Sequence, residues 1–107
     1  MSSFKNLFTQ IHIGGMKLKN RIALAPMATH YGTEKGRMTA RQIEYYLERA
    51  KGGVGLIVTE SNYVSLEGRG GINRLGLYDD SQISEHRKLT EALHEVGTPI
   101  CAQLHHG

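Results

Sequence analysis

Three short apolar runs alternate with two stretches whose apolar residues recur at helical spacing, and this alternation restricts the chain to folds assembled from βαβ units. The runs are residues 21–25 (Arg-Ile-Ala-Leu-Ala, halted by Pro26), 54–59 (Val-Gly-Leu-Ile-Val-Thr) and 99–104 (Pro-Ile-Cys-Ala-Gln-Leu). Each is short and rich in apolar residues, as a buried strand is. Between the first two, Thr39 and Gln42 form a capping-box pair, and Ile43, Tyr46, Leu47 and Ala50 fall at i, i+3, i+4 and i+7. Gly52-Gly53 closes that helix. A second helix is predicted from near Ser81, with Leu89, Ala92, Leu93 and Val96 on one stripe and Gly97 at its end. Ahead of all this, Ile11 and Ile13, then Gly14-Gly15, then Met16 and Leu18 give the pattern of a β-hairpin. The predicted order is hairpin, β, α, β, α, β, with parallel strands and right-handed crossovers.

The residues just after each strand separate the two common ways of arranging such units. A doubly wound nucleotide-binding sheet opens with a glycine-rich phosphate turn, whereas Ala25 here is followed by Pro-Met-Ala-Thr-His. Long polar loops, about 29–38 and 61–80, instead suit a (β/α)8 barrel, whose βα loops form the active face. Such a barrel takes about 250 residues, and 107 residues supply two and a half units. The expected fold class is therefore α/β: residues 1–107 as the N-terminal segment of a (β/α)8 TIM barrel with a base-capping hairpin.

Composition excludes several function classes. Lys and Arg number 13 against 10 Asp and Glu, and the net charge of +3 is not gathered into blocks, so neither nucleic acid nor an anionic membrane is an expected partner. Cys101 is the only cysteine, which rules out an internal disulfide and any multi-cysteine zinc or iron–sulfur site within these residues. No apolar run nears the ~20 residues of a membrane span, and the N-terminus lacks a signal-peptide core. A cytoplasmic protein is expected.

Leu7-Phe8, Leu18-Lys19-Asn20-Arg21-Ile22 and Ala25-Pro26-Met27 resemble the opening of the old yellow enzyme family. So do Tyr45-Tyr46-x-Glu48-Arg49-Ala50-Lys51-Gly52-Gly53-Val54-Gly55-Leu56-Ile57, Thr59-Glu60 and Ala102-Gln103-Leu104-x-His106-Gly107. The resemblance runs through nearly the whole chain in the family's order. It implies FMN as cofactor and NADH or NADPH as reductant, with hydride passed through flavin N5 to an activated C=C bond of a small-molecule substrate. A flavin-dependent amine dehydrogenase or demethylase of the same barrel family is the alternative, and a non-catalytic assembly segment is the reading from another class. An iron–sulfur cluster would need cysteines beyond residue 107. Association through exposed barrel edges, or as a homo-oligomer, is expected.

Within the chain, a flavin ring needs a flat apolar slot with a few hydrogen bonds at its edge. Ala25, Pro26, Met27 and Ala28, at the end of the first strand, offer backbone and an apolar wall, and the resemblance places the ring there. Read without it, Pro26 merely stops a strand and Met27 fills a core. Ala28 stands where relatives carry a Cys or Thr able to touch the flavin, so that tuning contact is not expected. Gln103 ends the third strand with an amide that both donates and accepts. Strand alternation puts Cys101 and His105 on its face and turns His106 outward, which makes a metal site from the two histidines a poor reading. By resemblance Ser61 lines the flavin site, and by sequence alone it begins a loop. His30 occupies the neighbourhood of a substrate-contacting tyrosine in some relatives, or is a solvated loop histidine. Glu60, of opposite parity to Ser61, is expected to face a helix, Tyr45 and Tyr46 to be structural, and Arg21 to stabilise the base. His86 and His94 are expected on a solvated helix face. No catalytic residue is assigned. The flavin phosphate would sit at the loops after strands seven and eight, so residues 1–107 alone are expected to hold FMN poorly.

Overall fold

The chain is described by a computed structural model covering residues 4–107. Strands β1 (Ile11–Ile13) and β2 (Met16–Leu18) form the expected antiparallel hairpin, with Ile11 opposite Leu18 and Ile13 opposite Met16. Arg21 ties it to the first barrel strand: its backbone N–H donates to Leu7 O at 2.9 Å and its Nε to Thr9 Oγ1 at 3.0 Å. Met16 lines a cavity of about 390 Å³ with Gly97, Thr98, Pro99 and Ile100. The hairpin thus lies against the N-terminal end of the third main strand, at the base of the sheet.

The four-stranded sheet is parallel throughout and is organised by β4 (Leu56–Tyr63). Along one edge β4 pairs with β6 (Ile100–His105), from Ile57 opposite Ile100 to Tyr63 opposite His105. The other edge is shared, because β3 (Ala23–Leu24) pairs with its start and β5 (Leu75–Gly76) with its end. Helix α1 (Ala40–Lys51) connects β3 to β4, and α2 (Ile83–Glu95) leads into β6. This is the opening portion of a (β/α)8 barrel with its hairpin at the base, as the sequence pattern predicts.

The boundaries differ from expectation in informative places. The first strand is two residues, not 21–25, because only Ala23 and Leu24 find partners on β4. The second runs to Tyr63 rather than stopping at Thr59, so Ser61 lies inside a strand and does not open a loop. The connection after it is not structureless: it holds a 3-10 turn at Leu66–Gly68 and the short strand β5. Asp79 caps a further 3-10 turn (Asp80–Gln82) before α2 begins at Ile83. Val96 falls past the end of α2 and is exposed, while Leu89 and Leu93 carry that helix's buried stripe. His86 is half-buried, not solvated, with Nε2 3.4 Å from Gly76 O, and burial lowers its pKa. His94 is exposed as expected.

Tyr46 and Ala50 of α1, Leu89 and Leu93 of α2, Ile57, Leu75 and Met38 form the core between the helices and the outer face of the sheet. At the base, Asn20 is buried, donating from Nδ2 to Gly53 O at 2.7 Å and accepting at Oδ1 from Ile22 N at 3.0 Å. Gly55 passes so close that a Cβ there would lie 2.6 Å from Asn20 O. Among the described residues no helix is long and apolar enough to cross a membrane.

The loop after β3 is fastened to α2 by Arg37. Its Nε donates to Glu85 Oε1 at 3.0 Å, its Nη2 meets the same oxygen, and Nη2 also reaches Ser81 O at 3.0 Å. The Ser84 hydroxyl and then Arg37 hold the Glu85 carboxyl down from an ordinary 4.5 to about 2. A carboxylate depressed in the native state stabilises it above its unfolded pKa and loses that contribution as pH falls through the folded value. Urea-unfolding midpoints should therefore decline between about pH 4.5 and 2, and Glu85→Gln should flatten that part of the profile. Parallel profiles for parent and variant would contradict this.

Candidate functional site

The C-terminal ends of β3, β4 and β6 and the loops after them lie at the end of the sheet opposite the hairpin, where barrel folds place their chemistry. The register brings two of the expected residues side by side, since Ser61 on β4 pairs with Gln103 on β6. Three steps along β4, from Val58 to Ser61, match two steps along β6, from Cys101 to Gln103, so β4 carries a bulge. The bulge sets the faces. Ile57 packs in the helix-side core, yet Glu60, three residues on, also turns toward α1. Ser61 then falls on the inner face, with Gln103 opposite. Asn62, fully buried, holds the irregularity: its Nδ2 donates to Glu60 O at 2.9 Å, to Thr59 Oγ1 at 3.0 Å and to Gln103 O at 3.3 Å.

Glu60 is the hub. Its side chain is 1 % exposed and accepts from three neighbours drawn from the first βα loop and α1. Thr29 donates through its backbone N–H (3.2 Å) and hydroxyl (3.0 Å), Gln42 through Nε2 (3.2 Å) and Tyr46 through its hydroxyl (3.0 Å). The Tyr46 hydroxyl in turn accepts from the Glu60 backbone N–H at 2.8 Å. Burial, with the adjacent carboxylate, pushes the Tyr46 phenol far above its usual pKa, so it stays a neutral donor. Gln42 also closes the capping box of α1 by accepting from Thr39 N at 3.0 Å. Thr39 Oγ1 donates to Tyr31 O at 2.8 Å, and Tyr31 N to Thr29 Oγ1 at 3.1 Å. One buried carboxylate thereby fixes the loop that carries Ala25, Pro26, Met27 and Ala28. All four are exposed among the described residues, Met27 at 53 %.

The remaining expected residues fall into place around this wall. Among the described residues Gln103 has no side-chain hydrogen bond, and it is exposed. His30 is exposed with a left-handed backbone (φ 59°), its Nδ1 3.4 Å from Ile72 O in the loop after β4. His105 ends β6, while His106 lies against the 3-10 turn, where a Cβ on Gly68 would sit 2.7 Å from its ring. Two residues of the site escaped the sequence reading. Asn62 follows Thr59, Glu60 and Ser61 in a polar run that reads as loop. Arg74, whose Nη1 lies 3.4 Å from Ser61 Oγ, had no signal in a glycine- and asparagine-rich stretch.

Tyr46→Phe removes the donor to Glu60 and leaves the buried Glu60 N–H unpaired, which costs about 1–3 kcal/mol by the usual penalty for an orphaned buried group. Urea unfolding of the variant against the parent measures this, and a loss within error of zero would contradict the hub.

The sequence pattern of the NADH:flavin oxidoreductase / NADH oxidase family matches residues 6–107. The chain is 41 % identical to the NADH oxidase of Thermoanaerobacter brockii, over 99 % of its own length and 16 % of that protein. It is 42 % identical to the NADPH dehydrogenase of Bacillus subtilis, over 95 % of its length and 30 % of that protein. The solved old yellow enzyme homologue of Zymomonas mobilis superimposes with a TM-score of 0.89 at 37 % identity, over 94 % of this chain and 28 % of that one. The chain thus spans between a sixth and a third of the length of these relatives, at their barrel-opening end, and it belongs to the NADH:flavin oxidoreductase / NADH oxidase family.

Proposed function

We propose that these residues form one wall of the flavin site of an FMN-dependent oxidoreductase that takes hydride from NADH or NADPH and reduces an activated C=C bond of a small molecule. The activity is proposed for a barrel completed by further βα units. The observation that carries it is the juxtaposition of an exposed, small and apolar loop with two polar side chains on neighbouring strands. Residues Ala25, Pro26, Met27 and Ala28 offer the apolar face, and Gln103 and Ser61, opposite one another in the register, offer the donors and acceptors. A planar ring with an imide-like edge fits that donor set. FMN, when bound, supplies a ring that accepts a hydride at N5 and passes it on.

The chain's own residues have positioning tasks. Gln103, its amide free among the described residues, would bind the ring edge through both donor and acceptor. Ser61 would hold the ring beside it. Ala28 presents only a methyl group, so no polar contact from this position adjusts the flavin. His30, at the rim and steadied by Ile72 O, would contact the substrate. Glu60 holds a loop and does not exchange a proton with substrate, since its oxygens are enclosed by Thr29, Gln42 and Tyr46. The outer edge of β6 has no partner strand among the described residues, and Leu104 beside it is 65 % exposed. In a completed barrel that edge would take the next parallel strand.

The flavin-loaded protein with its barrel completed should bleach on anaerobic addition of NADH or NADPH and then turn over 2-cyclohexenone. Gln103→Ala removes two hydrogen bonds of about 1 kcal/mol each, which raises the Kd for FMN roughly thirtyfold. Oxidation of a methylated amine without enone turnover would replace the proposed reaction with that of an amine dehydrogenase, and a completed barrel that holds no flavin would overturn both.

A further inference from the structure

Arg74 differs from three other arginines of the fold in what it meets. Arg41 and Arg49 lie over the rings of Tyr31 and Tyr45, at 3.7 and 3.8 Å, and Arg37 meets Glu85. Arg74 has no carboxylate within 4 Å among the described residues. It immediately precedes β5, whose parallel pairing of Leu75 with Asn62 sets Arg74 level with Ser61, and its Nη1 lies 3.4 Å from Ser61 Oγ. Its Nε is buried without a hydrogen-bond partner. The guanidinium rests against Gly71, where a Cβ would stand 3.3 Å from Nε. A half-buried cation with no counter-charge is costly, and this one is held beside the inner-face pair Ser61 and Gln103.

We infer that Arg74, acting through Ser61, contributes positive potential to the flavin wall and favours the reduced ring over the oxidised one. The inference rests on the flavin reading of the site given above. A hydride carries two electrons and one proton, so its transfer from NAD(P)H gives the neutral oxidised ring one negative charge and leaves the nicotinamide as the cation. A fixed positive charge in a poorly solvated site stabilises that added negative charge and does little for the neutral ring. Arg74 is a positioning residue in this role, since it would act on the ring through Ser61, which its Nη1 approaches.

The test is the flavin midpoint potential of the flavin-loaded protein and its variants, measured anaerobically against a reference dye. Arg74→Met and Arg74→Gln should each weaken binding of reduced relative to oxidised flavin about tenfold, a fall of about 30 mV for a two-electron couple. Arg74→Lys should retain most of the parent potential. Ser61→Ala, which frees the guanidinium from its anchor, should lower it in the same direction by less, and with Arg74→Gln it carries the test should Arg74→Met fail to fold. Potentials unchanged in Arg74→Gln and Ser61→Ala, with flavin bound and reducible by NAD(P)H, overturn the inference and leave the proposed function standing. A parent protein with its barrel completed that binds no FMN, or whose bound FMN NAD(P)H does not reduce, overturns the proposed function and the inference with it.

Discussion

A single buried carboxylate joins three parts of this chain that are distant in sequence. Glu60 sits in the central strand, Gln42 and Tyr46 on the first helix, and Thr29 in the loop between the first strand and that helix. A carboxyl group that deep is tolerated only when its oxygens find partners, so the loop, the helix and the strand have to adopt one mutual arrangement. That requirement runs in both directions. If the loop shifts, the carboxylate loses Thr29; if the helix rotates, it loses Gln42 and Tyr46. The exposed wall from Ala25 to Ala28 is attached to this hub, which explains how an irregular segment on the open face of a sheet is held in one place.

The bulge in β4 allows this arrangement. In a regular strand, residues three apart face opposite sides, and Glu60 would turn away from α1 if Ile57 pointed toward it. The extra residue lets Ile57 pack in the core and Glu60 meet the same helix, after which Ser61 turns inward opposite Gln103. Asn62 supplies the hydrogen bonds that the broken ladder leaves unmade. The apolar half of the strand therefore serves packing, and its polar half, Thr59 to Asn62, serves geometry. Bulges beside functional sites commonly re-aim side chains in this way.

The order of elements was readable because each carries a strong local signal. The Thr39–Gln42 capping box, the Ile43-Tyr46-Ala50 stripe and the Gly14-Gly15 hairpin all depend on neighbours within a few residues, and all three stand in the structure. Glu60 was readable as helix-facing from its parity against Ser61. The features that stayed hidden depend on partners far away in the chain. Strand β5 is two residues long and exists only because the end of β4 offers it an edge. The extension of β4 to Tyr63 reads as polar loop sequence, since Glu60, Ser61 and Asn62 would be poor strand residues without the network that receives them. His86 looked solvated because helical periodicity does not reveal that Gly76 passes beside it. Arg74 shows the same limit most plainly, since nothing near it in sequence indicates that it reaches Ser61.

The central claim is that Glu60 holds the first βα loop and, through it, the apolar wall of the site. Amide hydrogen exchange in the flavin-loaded protein, compared with its Glu60→Gln variant, tests this most directly. The replacement keeps the size of the side chain but turns one acceptor into a donor facing Thr29, Gln42 and Tyr46, which are donors already. Expected is faster exchange at Thr29 and Tyr31, whose amides are bound within the network, with the amides of the hairpin pairing β1 and β2 unchanged. Unchanged protection at Thr29 and Tyr31 in a folded Glu60→Gln protein would show that the loop is held by something other than this carboxylate.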